Sequence, residues 1–174
     1  MYSKKVLKHF TKPHNYGKIR NADGVGKVGN IVCGDVMYLY IKVGNHPSHK
    51  ASDGKEIIKD IKFETFGCTA AIATSSIITD LAKGKTFNQV LKIKGKKIVD
   101  ALGGLPPIKI HCSVLAYDAL VEAIYDYLNK NKKPISQEVK NLHQKIEEER
   151  KMIEEKYKDW VSNQTDLIEK KRKN

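Results

Sequence analysis

The sequence predicts an α+β fold, with helices packed against one face of a small antiparallel sheet, followed by a C-terminal helical extension. The first observation is the order of the segments: those rich in β-branched and aromatic residues come early, and most helix-like segments come later. The second is a change of composition near Pro134, after which the chain lacks glycine and proline and is dense in glutamate and lysine. We therefore expect one domain over residues 1–133 and a charged amphipathic helical extension over residues 134–174.

The first domain contains three segments that are typical of strands. Alternation of apolar and polar residues, with turn-forming residues between segments, predicts strands at Val25–Val28, Val36–Val43 and Glu56–Phe66. Helices are expected around them, at Tyr2–Phe10, Thr69–Lys83, Phe87–Lys92, Lys96–Leu102 and Ile110–Asn129. The second of these is small and apolar and stops at Gly84, which is a common helix-terminating residue.

The extension has the pattern of a single long helix. Ser136 is a suitable N-terminal cap. Apolar residues then recur on one helical face, at Val139, Leu142, Ile146, Ile153, Tyr157 and Trp160. This face predicts either a helix docked on its own domain or one that pairs with another chain, including a copy of itself as a homo-oligomer. The pattern leaves both alternatives open.

Composition excludes several classes of protein. No apolar run approaches the ~20 residues that a membrane-spanning helix requires, so no membrane role is expected, and the N-terminus has no signal-peptide pattern. The net charge is +12, but the lysine clusters are not interleaved with aromatic residues as on a nucleic-acid platform. We therefore expect no nucleic-acid partner, and a basic surface that is either simply solvated or steers an acidic protein partner. Three cysteines without a CxxC pair predict reduced thiols and a cytoplasmic location.

All three cysteines stand at junctions between predicted elements. Cys33 lies in a turn that enters a strand, Cys68 lies between a strand and a helix, and Cys112 lies in the first turn of the long helix. A helix N-terminus favours thiolate, which is the form that ligates metal or attacks sulfur. Buried structural cysteines have no reason to collect at such junctions, so the pattern indicates a common site.

Asp35 and His111 are the neighbouring residues that complete this ligand set. Three thiolates with one nitrogen or oxygen donor suit tetrahedral Zn²⁺ or an iron–sulfur cluster. A permanent cluster commonly has four cysteines, and this chain has three. A carboxylate or imidazole in the fourth position predicts a site that takes up a cluster and releases it. The pattern does not decide whether Asp35, His111 or both in turn supply that ligand.

Three segments resemble the IscU-type iron–sulfur cluster assembly scaffolds, the family that includes the N-terminal domain of NifU. They are Cys33–Asp35, Phe66–Ser76 and Leu105–Ser113, and the opening segment through Gly17 is similar as well. The likeness covers about residues 1–130 in order and at suitable spacing. The fold of that family agrees with the α+β prediction.

The resemblance implies a function and a set of partners. A cysteine desulfurase would deliver sulfur to Cys112 or Cys33, and Fe²⁺ would bind among Cys33, Asp35, Cys68, His111 and Cys112. An electron donor such as a ferredoxin would reduce the sulfur, and a transient [2Fe–2S] cluster would form and pass to apo-proteins. The chain would act as a scaffold and sulfur acceptor rather than as a turnover enzyme. The same residues would also hold Zn²⁺.

The segment Leu105, Pro106, Pro107, Ile108 and Lys109 is similar to the strip that an Hsp70-type chaperone grips in some members of the family. A double proline favours an extended shape that a groove would accept, but it also ends a helix and aims the residues that follow. Lys109 places a cation where it would stabilise nearby thiolates. The segment therefore predicts a chaperone contact, a structural role, or both.

Two rival functions stay open. One is a zinc-bound sulfur-acceptor or sulfur-transfer protein. The other is a structural zinc or interaction protein built around the extension. Among the remaining histidines, we expect His9 and His14 to be structural or surface residues, and His46 and His49 to lie on a loop surface unless they bind stray metal.

Overall fold

The computed structural model describes residues 1–30, 34–45 and 56–172, with the side chains of the last helix described through residue 152 and at 154, 155 and 158. The expectations for Cys33 and for His46 and His49 fall outside these residues. The strands are β1 (Gly24–Asn30), β2 (Asp35–Asn45) and β3 (Glu56–Phe66). The helices are α1 (Lys4–Thr11), α2 (Thr69–Ala82), α3 (Phe87–Val90), α4 (Gly95–Ala101), α5 (His111–Lys130) and α6 (Gln137–Arg172), with a 3₁₀ turn at Pro107–Lys109.

The three strands form an antiparallel sheet in the order β1-β2-β3. One face of the sheet buries Met37, Leu39, Ile41 and Phe63 completely. Helices α2 and α5 pack on the sheet, and α5 makes its main contact with β1. Because the buried side chains alternate along the strands, that face and the helices share one core. The predicted fold class is therefore confirmed.

Helix α5 lies so close to β1 that two strand positions accept only glycine. A Cβ on Gly26 would stand 1.9 Å from the carbonyl oxygen of Ala119, and one on Gly24 would stand 2.2 Å from that of Ala123. These clashes involve backbone atoms, which side-chain rotation does not relieve. The glycines of β1 thus let the long helix settle directly onto the sheet, and this fixes where α5 begins.

Helix α2 is built from small residues because it is buried among other elements. It contacts α1, β3, α4 and α5, and nine of its residues are buried. The hydroxyl of Thr74 donates to the carbonyl oxygen of Cys112 at 3.1 Å, which ties the first half of α2 to the first turn of α5. The N-termini of these two helices are therefore held side by side.

The first turns of α6 pack on the chain's own domain. Val139 is only 2% exposed, and Leu142 and Ile146 lie against the main core. The His143 ring stacks on Tyr125 at 3.6 Å between centroids, and its Nδ1 lies 2.8 Å from Oε1 of Glu122. Docking on the same chain is therefore what the structure shows for this part. The side chains of Ile153, Tyr157 and Trp160 lie outside the described set, so pairing with another chain stays a prediction.

The segment before α5 differs from the expected extended strip. Pro106 has extended backbone angles, but Pro107–Lys109 forms a 3₁₀ turn in which the Lys109 N–H donates to the Pro106 carbonyl oxygen at 2.8 Å. The extended shape is therefore wrong beyond Pro106. The turn leads within one residue into α5, so its effect is to aim the first residues of that helix.

None of the helices that the structure describes is both long enough and apolar enough to cross a membrane.

Candidate functional site

Four of the five expected ligands meet where β2 begins and where α2 and α5 begin. Asp35 is the first residue of β2, Cys68 is the N-terminal cap of α2, and His111 and Cys112 open α5. The antiparallel register brings them together, because Val36 lies opposite Phe66 and the chain turns from there into α2. The fifth, Cys33, lies outside the described residues, and its role as a ligand stays a prediction.

Asp35 is at the centre of the group. Its Oδ2 lies 3.7 Å from Sγ of Cys112 and 3.9 Å from Sγ of Cys68, and its Oδ1 accepts a hydrogen bond from the Cys68 N–H at 3.2 Å. The Cys112 sulfur is also 3.5 Å from Nε2 of His111. One donor atom each from Asp35, His111 and Cys112 lies within 4.8 Å of the others. Small rotations of these side chains would bring them to coordination distance of one ion.

The site is dry on one side and open on the other. Cys112 is fully buried and Asp35 is 2% exposed, whereas Cys68 and His111 are half-buried. The buried side is formed by small residues, Ala70 and Ala71, which pack with Cys112. A metal ion bound here would thus be screened from water by the core and reached through the exposed edge.

Gly67 is required by the position of Asp35. A Cβ at residue 67 would stand 2.7 Å from Oδ1 of Asp35 and 2.9 Å from the Cβ of Ala71. The glycine lets the carboxylate lie against the backbone that enters α2. The absence of a side chain at Gly67 therefore allows the Asp35 carboxylate to lie beside the Cys68 thiol.

Two helix N-termini and a lysine make the site favourable for negative charge. The amino ends of α2 and α5 both point toward the sulfurs, and such ends carry partial positive charge. The Lys109 ammonium is exposed, and the nearby Cys68 thiolate is the main cause that raises the pKa of Lys109. This agrees with the expectation that Lys109 is a cation beside the thiolates.

Tyr2 is a neighbour of the site that the sequence reasoning missed. It packs, partly buried, against the cluster of Ala70, Ala71 and Cys112. Burial is the main cause that raises the pKa of its phenol, followed by the negative charge of Cys68. Tyr2 reaches the site because Ser3 caps α1 and its hydroxyl donates to the carbonyl oxygen of Leu102. No local pattern in the sequence signals such a long-range anchor.

The expected chaperone strip is divided between the site and the surface. Leu105 packs against the cluster that contains Cys112, whereas Ile108 is 78% exposed. The exposed Ile108, next to the half-buried Lys109, is available to a partner. Leu105 serves the site itself.

The donor set fits zinc or iron. Two thiolates, an imidazole and a carboxylate converge from three elements, and thiolate and imidazole are the ligands that zinc and iron–sulfur clusters use. The arrangement is thus chemically suited to an anionic sulfur-containing group with one weaker oxygen or nitrogen ligand.

Comparison with known proteins gives the chain a family. The family model described as "NifU-like N terminal domain" matches residues 1–134. The chain is 57% identical over 133 residues to the iron-sulfur cluster assembly scaffold protein IscU 1 of Archaeoglobus fulgidus, covering 76% of this chain and 80% of that protein. It is 42% identical over 161 residues to the scaffold protein IscU of Aquifex aeolicus, covering 92% of this chain and 96% of that protein.

The match to the Aquifex protein continues past residue 134, where the family model ends, so the extension also has a relative. Among solved structures, the N-terminal part of a nitrogen-fixing NifU-like protein from Brucella abortus has a TM-score of 0.52 at 21% identity, covering 74% of this chain and 94% of that one, and it supports the fold alone. The family match, the identities and the fold agree: this chain belongs to the NifU-like N-terminal domain family.

Proposed function

We propose that this protein is a scaffold for de novo iron–sulfur cluster assembly. The observation that carries the proposal is the convergence of Cys68, Cys112, Asp35 and His111 at two helix N-termini. The relatives from Archaeoglobus and Aquifex are named for the same activity. Sulfur and iron are cargo in this proposal, and the chain contributes ligands and a protected surface rather than turnover.

Fe²⁺ would bind first among the described donors, with Cys33 as the third thiolate. A [2Fe–2S] cluster takes four protein ligands, so three cysteines leave one position for Asp35 or His111. Asp35 is the stronger candidate because its carboxylate reaches both described sulfurs, whereas His111 touches only Cys112. A hard oxygen ligand on such a cluster is the weakest of the set, and it makes the cluster transferable.

Sulfur would arrive as a persulfide on a cysteine desulfurase. A scaffold thiolate attacks the outer sulfur, a new S–S bond forms on the scaffold, and the desulfurase thiolate leaves. Two electrons from a donor such as a ferredoxin then reduce each transferred sulfur to sulfide. Cys112 and Cys33 are the candidate acceptors. Because Cys112 is fully buried, delivery to it requires the site to open.

Partners would meet the chain at its exposed edge and on its basic surface. The net charge of +12 favours acidic partners, among them ferredoxin-like donors and acceptors. Ile108 and Lys109 form the exposed part of the strip proposed for an Hsp70-type chaperone. The same ligands would accept Zn²⁺ when iron and sulfide are absent.

Anaerobic reconstitution tests the proposal directly. The native chain is mixed with Fe²⁺, cysteine, a reductant and a cysteine desulfurase, and visible absorption of a cluster is followed by transfer to an apo-ferredoxin. We expect a transferable cluster, and we expect Cys33→Ser, Cys68→Ser and Cys112→Ser each to abolish it. A chain that binds zinc and accepts sulfur on a cysteine, but forms no cluster, would support the sulfur-transfer alternative instead. A metal that chelators remove only with unfolding would support a structural zinc site.

A further inference from the structure

A second group of metal-type side chains lies at the opposite end of α2. It consists of His9 from α1, His14 from the loop after α1, and Asp80 from the last part of α2. One donor atom from each lies within 4.8 Å of the others. The three residues come from separate segments that only folding brings together. The local sequence predicts structural or surface roles for both histidines, and no motif marks Asp80.

The two histidines are oriented by one buried serine. Nδ1 of His9 lies 2.8 Å from Oγ of Ser76, and the backbone N–H of His14 donates to the same oxygen at 2.8 Å. Ser76 is completely buried. The His9 hydrogen bond occupies one ring nitrogen and leaves Nε2 as the nitrogen for a ligand. Histidines that bind metal are usually held in this way through their second nitrogen.

Asp80 is oriented on its other side. The amide of Asn15 donates to Oδ1 of Asp80 at 3.1 Å and to Oγ1 of Thr79 at 2.9 Å. Oδ2 of Asp80 is thereby directed to His14, whose Nδ1 lies 2.6 Å away. The side chains of His9 and Asp80 are therefore each fixed by a neighbour that is not itself a ligand, and Ser76 anchors the backbone of His14.

An ion has access to this group from solvent. The side chains of His14 and Asp80 are 43% and 35% exposed, whereas His9 is buried behind them. An ion would enter between Nδ1 of His14 and Oδ2 of Asp80, which lie 2.6 Å apart. An entry path and oriented ligands are what a metal site requires.

The group is spatially separate from the cysteine site. Cys68 begins α2 and Asp80 lies near its end, about 18 Å away at the helical rise of about 1.5 Å per residue. An ion bound by His9, His14 and Asp80 would therefore share no ligand with the cysteine site. Its binding would not depend on the proposed scaffold function.

We propose that His9, His14 and Asp80 form a binding site for a divalent first-row transition metal ion of the Fe²⁺ or Zn²⁺ type. Two imidazoles and one carboxylate are a ligand set that Fe²⁺ uses with positions left open to water. The nitrogen donors disfavour Mg²⁺ and Ca²⁺, which prefer oxygen. The protein would then hold one metal ion at a place separate from the site proposed for cluster assembly.

Anaerobic titration of the native chain with Co²⁺ tests the site, because the two sites give different spectra. Co²⁺ at the cysteines shows intense thiolate-to-metal absorption, whereas Co²⁺ on imidazole and carboxylate shows only weak ligand-field bands. We expect two ions per chain, one without thiolate absorption. His14→Ala and Asp80→Asn should each remove that second ion and retain the first.

Matched variants separate this site from other donors. His46→Ala removes a histidine that the sequence marks as a candidate for stray metal, and we expect this variant to bind both ions. Asp60→Asn removes a comparably exposed carboxylate, paired at 2.7 Å with Lys83, and should likewise retain both. Ser76→Ala removes no ligand, but it should lower the affinity for the second ion about 10- to 100-fold.

Proton NMR of the native chain guards against variants that merely loosen the N-terminal segment. Co²⁺ added after the cysteine site is filled should shift or broaden the ring signals of His9 and His14. The proposal is overturned if the native chain binds a single Co²⁺, if His46→Ala removes the second ion, or if these ring signals do not respond.

Discussion

At the scale of single residues, the site depends on how closely one carboxylate approaches two sulfurs. Asp35 is almost fully buried and lies within 4 Å of both Cys68 and Cys112. A carboxylate held between two thiolates is repelled by them unless a cation lies among them. Under the proposed function, the same side chain would favour metal uptake and keep the bound group weakly held.

Replacement of Asp35 by alanine should slow release of the cluster. Without the carboxylate, the weak oxygen ligand and its repulsion of the thiolates are both lost, and His111 becomes the remaining fourth donor. We expect cluster transfer to an apo-ferredoxin to slow about tenfold or more, equivalent to about 1.4 kcal/mol in the barrier. Asp100→Ala, at an exposed site on α4, is the control. Unchanged or faster transfer would show that Asp35 is not the labile ligand.

Gly67→Ala should damage the site through sterics alone. The new methyl group would stand 2.7 Å from Oδ1 of Asp35, so the carboxylate or the start of α2 must move. We expect a loss of about 1–3 kcal/mol in the free energy of unfolding and weaker Co²⁺ binding at the cysteines. Gly29→Ala is the matched control, because its Cβ would meet nothing closer than 3.7 Å. Equal effects of the two substitutions in urea unfolding would contradict this account.

At the scale of elements, α6 is stabilised on the domain by its first turns. Val139 is buried, and His143 pairs with Glu122 while stacking on Tyr125. The acidic side chains of Asp118 and Glu122 on α5, which face α6, are partly removed from solvent. Burial is the main cause that raises the pKa of Asp118 to about 6, and Glu149 on α6 adds repulsion. Burial of apolar side chains therefore stabilises the docked α6, whereas burial and repulsion of acidic side chains oppose docking.

Val139→Ala should loosen α6 measurably. The substitution removes buried methyl groups and leaves a small cavity between α6 and the domain, so we expect about 1–3 kcal/mol less stability in urea unfolding. Met152→Ala on the same helix should change stability by less than about 0.5 kcal/mol, because Met152 is 57% exposed. Comparable losses for both variants would mean that docking does not depend on this contact.

Asp118→Asn should stabilise the protein at neutral pH. The folded-state pKa of about 6 exceeds the ordinary value of 3.8, so the folded chain binds more protons between these pH values and stability falls as pH rises through them. The amide removes that loss, and we expect a gain of about 1–3 kcal/mol at pH 7 and little gain near pH 4. Urea unfolding at both pH values, with Asp100→Asn as control, measures it. An equal gain at both pH values would exclude the burial argument.

Periodicity located these elements well, and tertiary contacts explain where it did not. β3 has the predicted bounds, and the other strands and helices differ mainly by a few residues at their ends. The extended strip after Pro106 was wrong because proline fixes φ near −65°, a value that extended chain and a 3₁₀ turn share. The hydrogen bonds of the turn decide between them, and proline content does not report those.

The candidate site was predictable only in part, because local patterns mark some of its residues and long-range packing places the others. Cys68, Asp35, His111 and Cys112 come from junction positions and from motif likeness, both of which are local signals. Tyr2, and the meeting of His9 with Asp80, depend on how α1 packs on α2, which no short pattern encodes.

At the scale of the whole molecule, we propose that residues 1–133 fold as a unit and that the extension is an addition to it. The family model ends at residue 134, and the main contacts of α6 are with α5 and β1. Glu122 and Tyr125, which hold α6, lie about 15 Å or more along α5 from Cys112. Cluster assembly should therefore not require the extension.

A chain truncated after Pro134 tests this division. We expect it to retain its circular dichroism and its cluster assembly, and to unfold at lower urea because the contacts of Val139, Leu142 and Ile146 are lost. Light scattering should give the same number of chains per particle as the full chain. A drop in that number would show that the extension joins copies, and failure to fold would remove the proposed boundary.

The glycine-mediated contact between β1 and α5 also bears on how the protein is made. The strand leaves the ribosome early, but the helix that covers it carries Cys112 and emerges far later. Until then the sheet lacks its cover, and Asp35 and Cys68 lack their partner sulfur. The described donors of the proposed site are therefore complete only after α5 has folded onto β1.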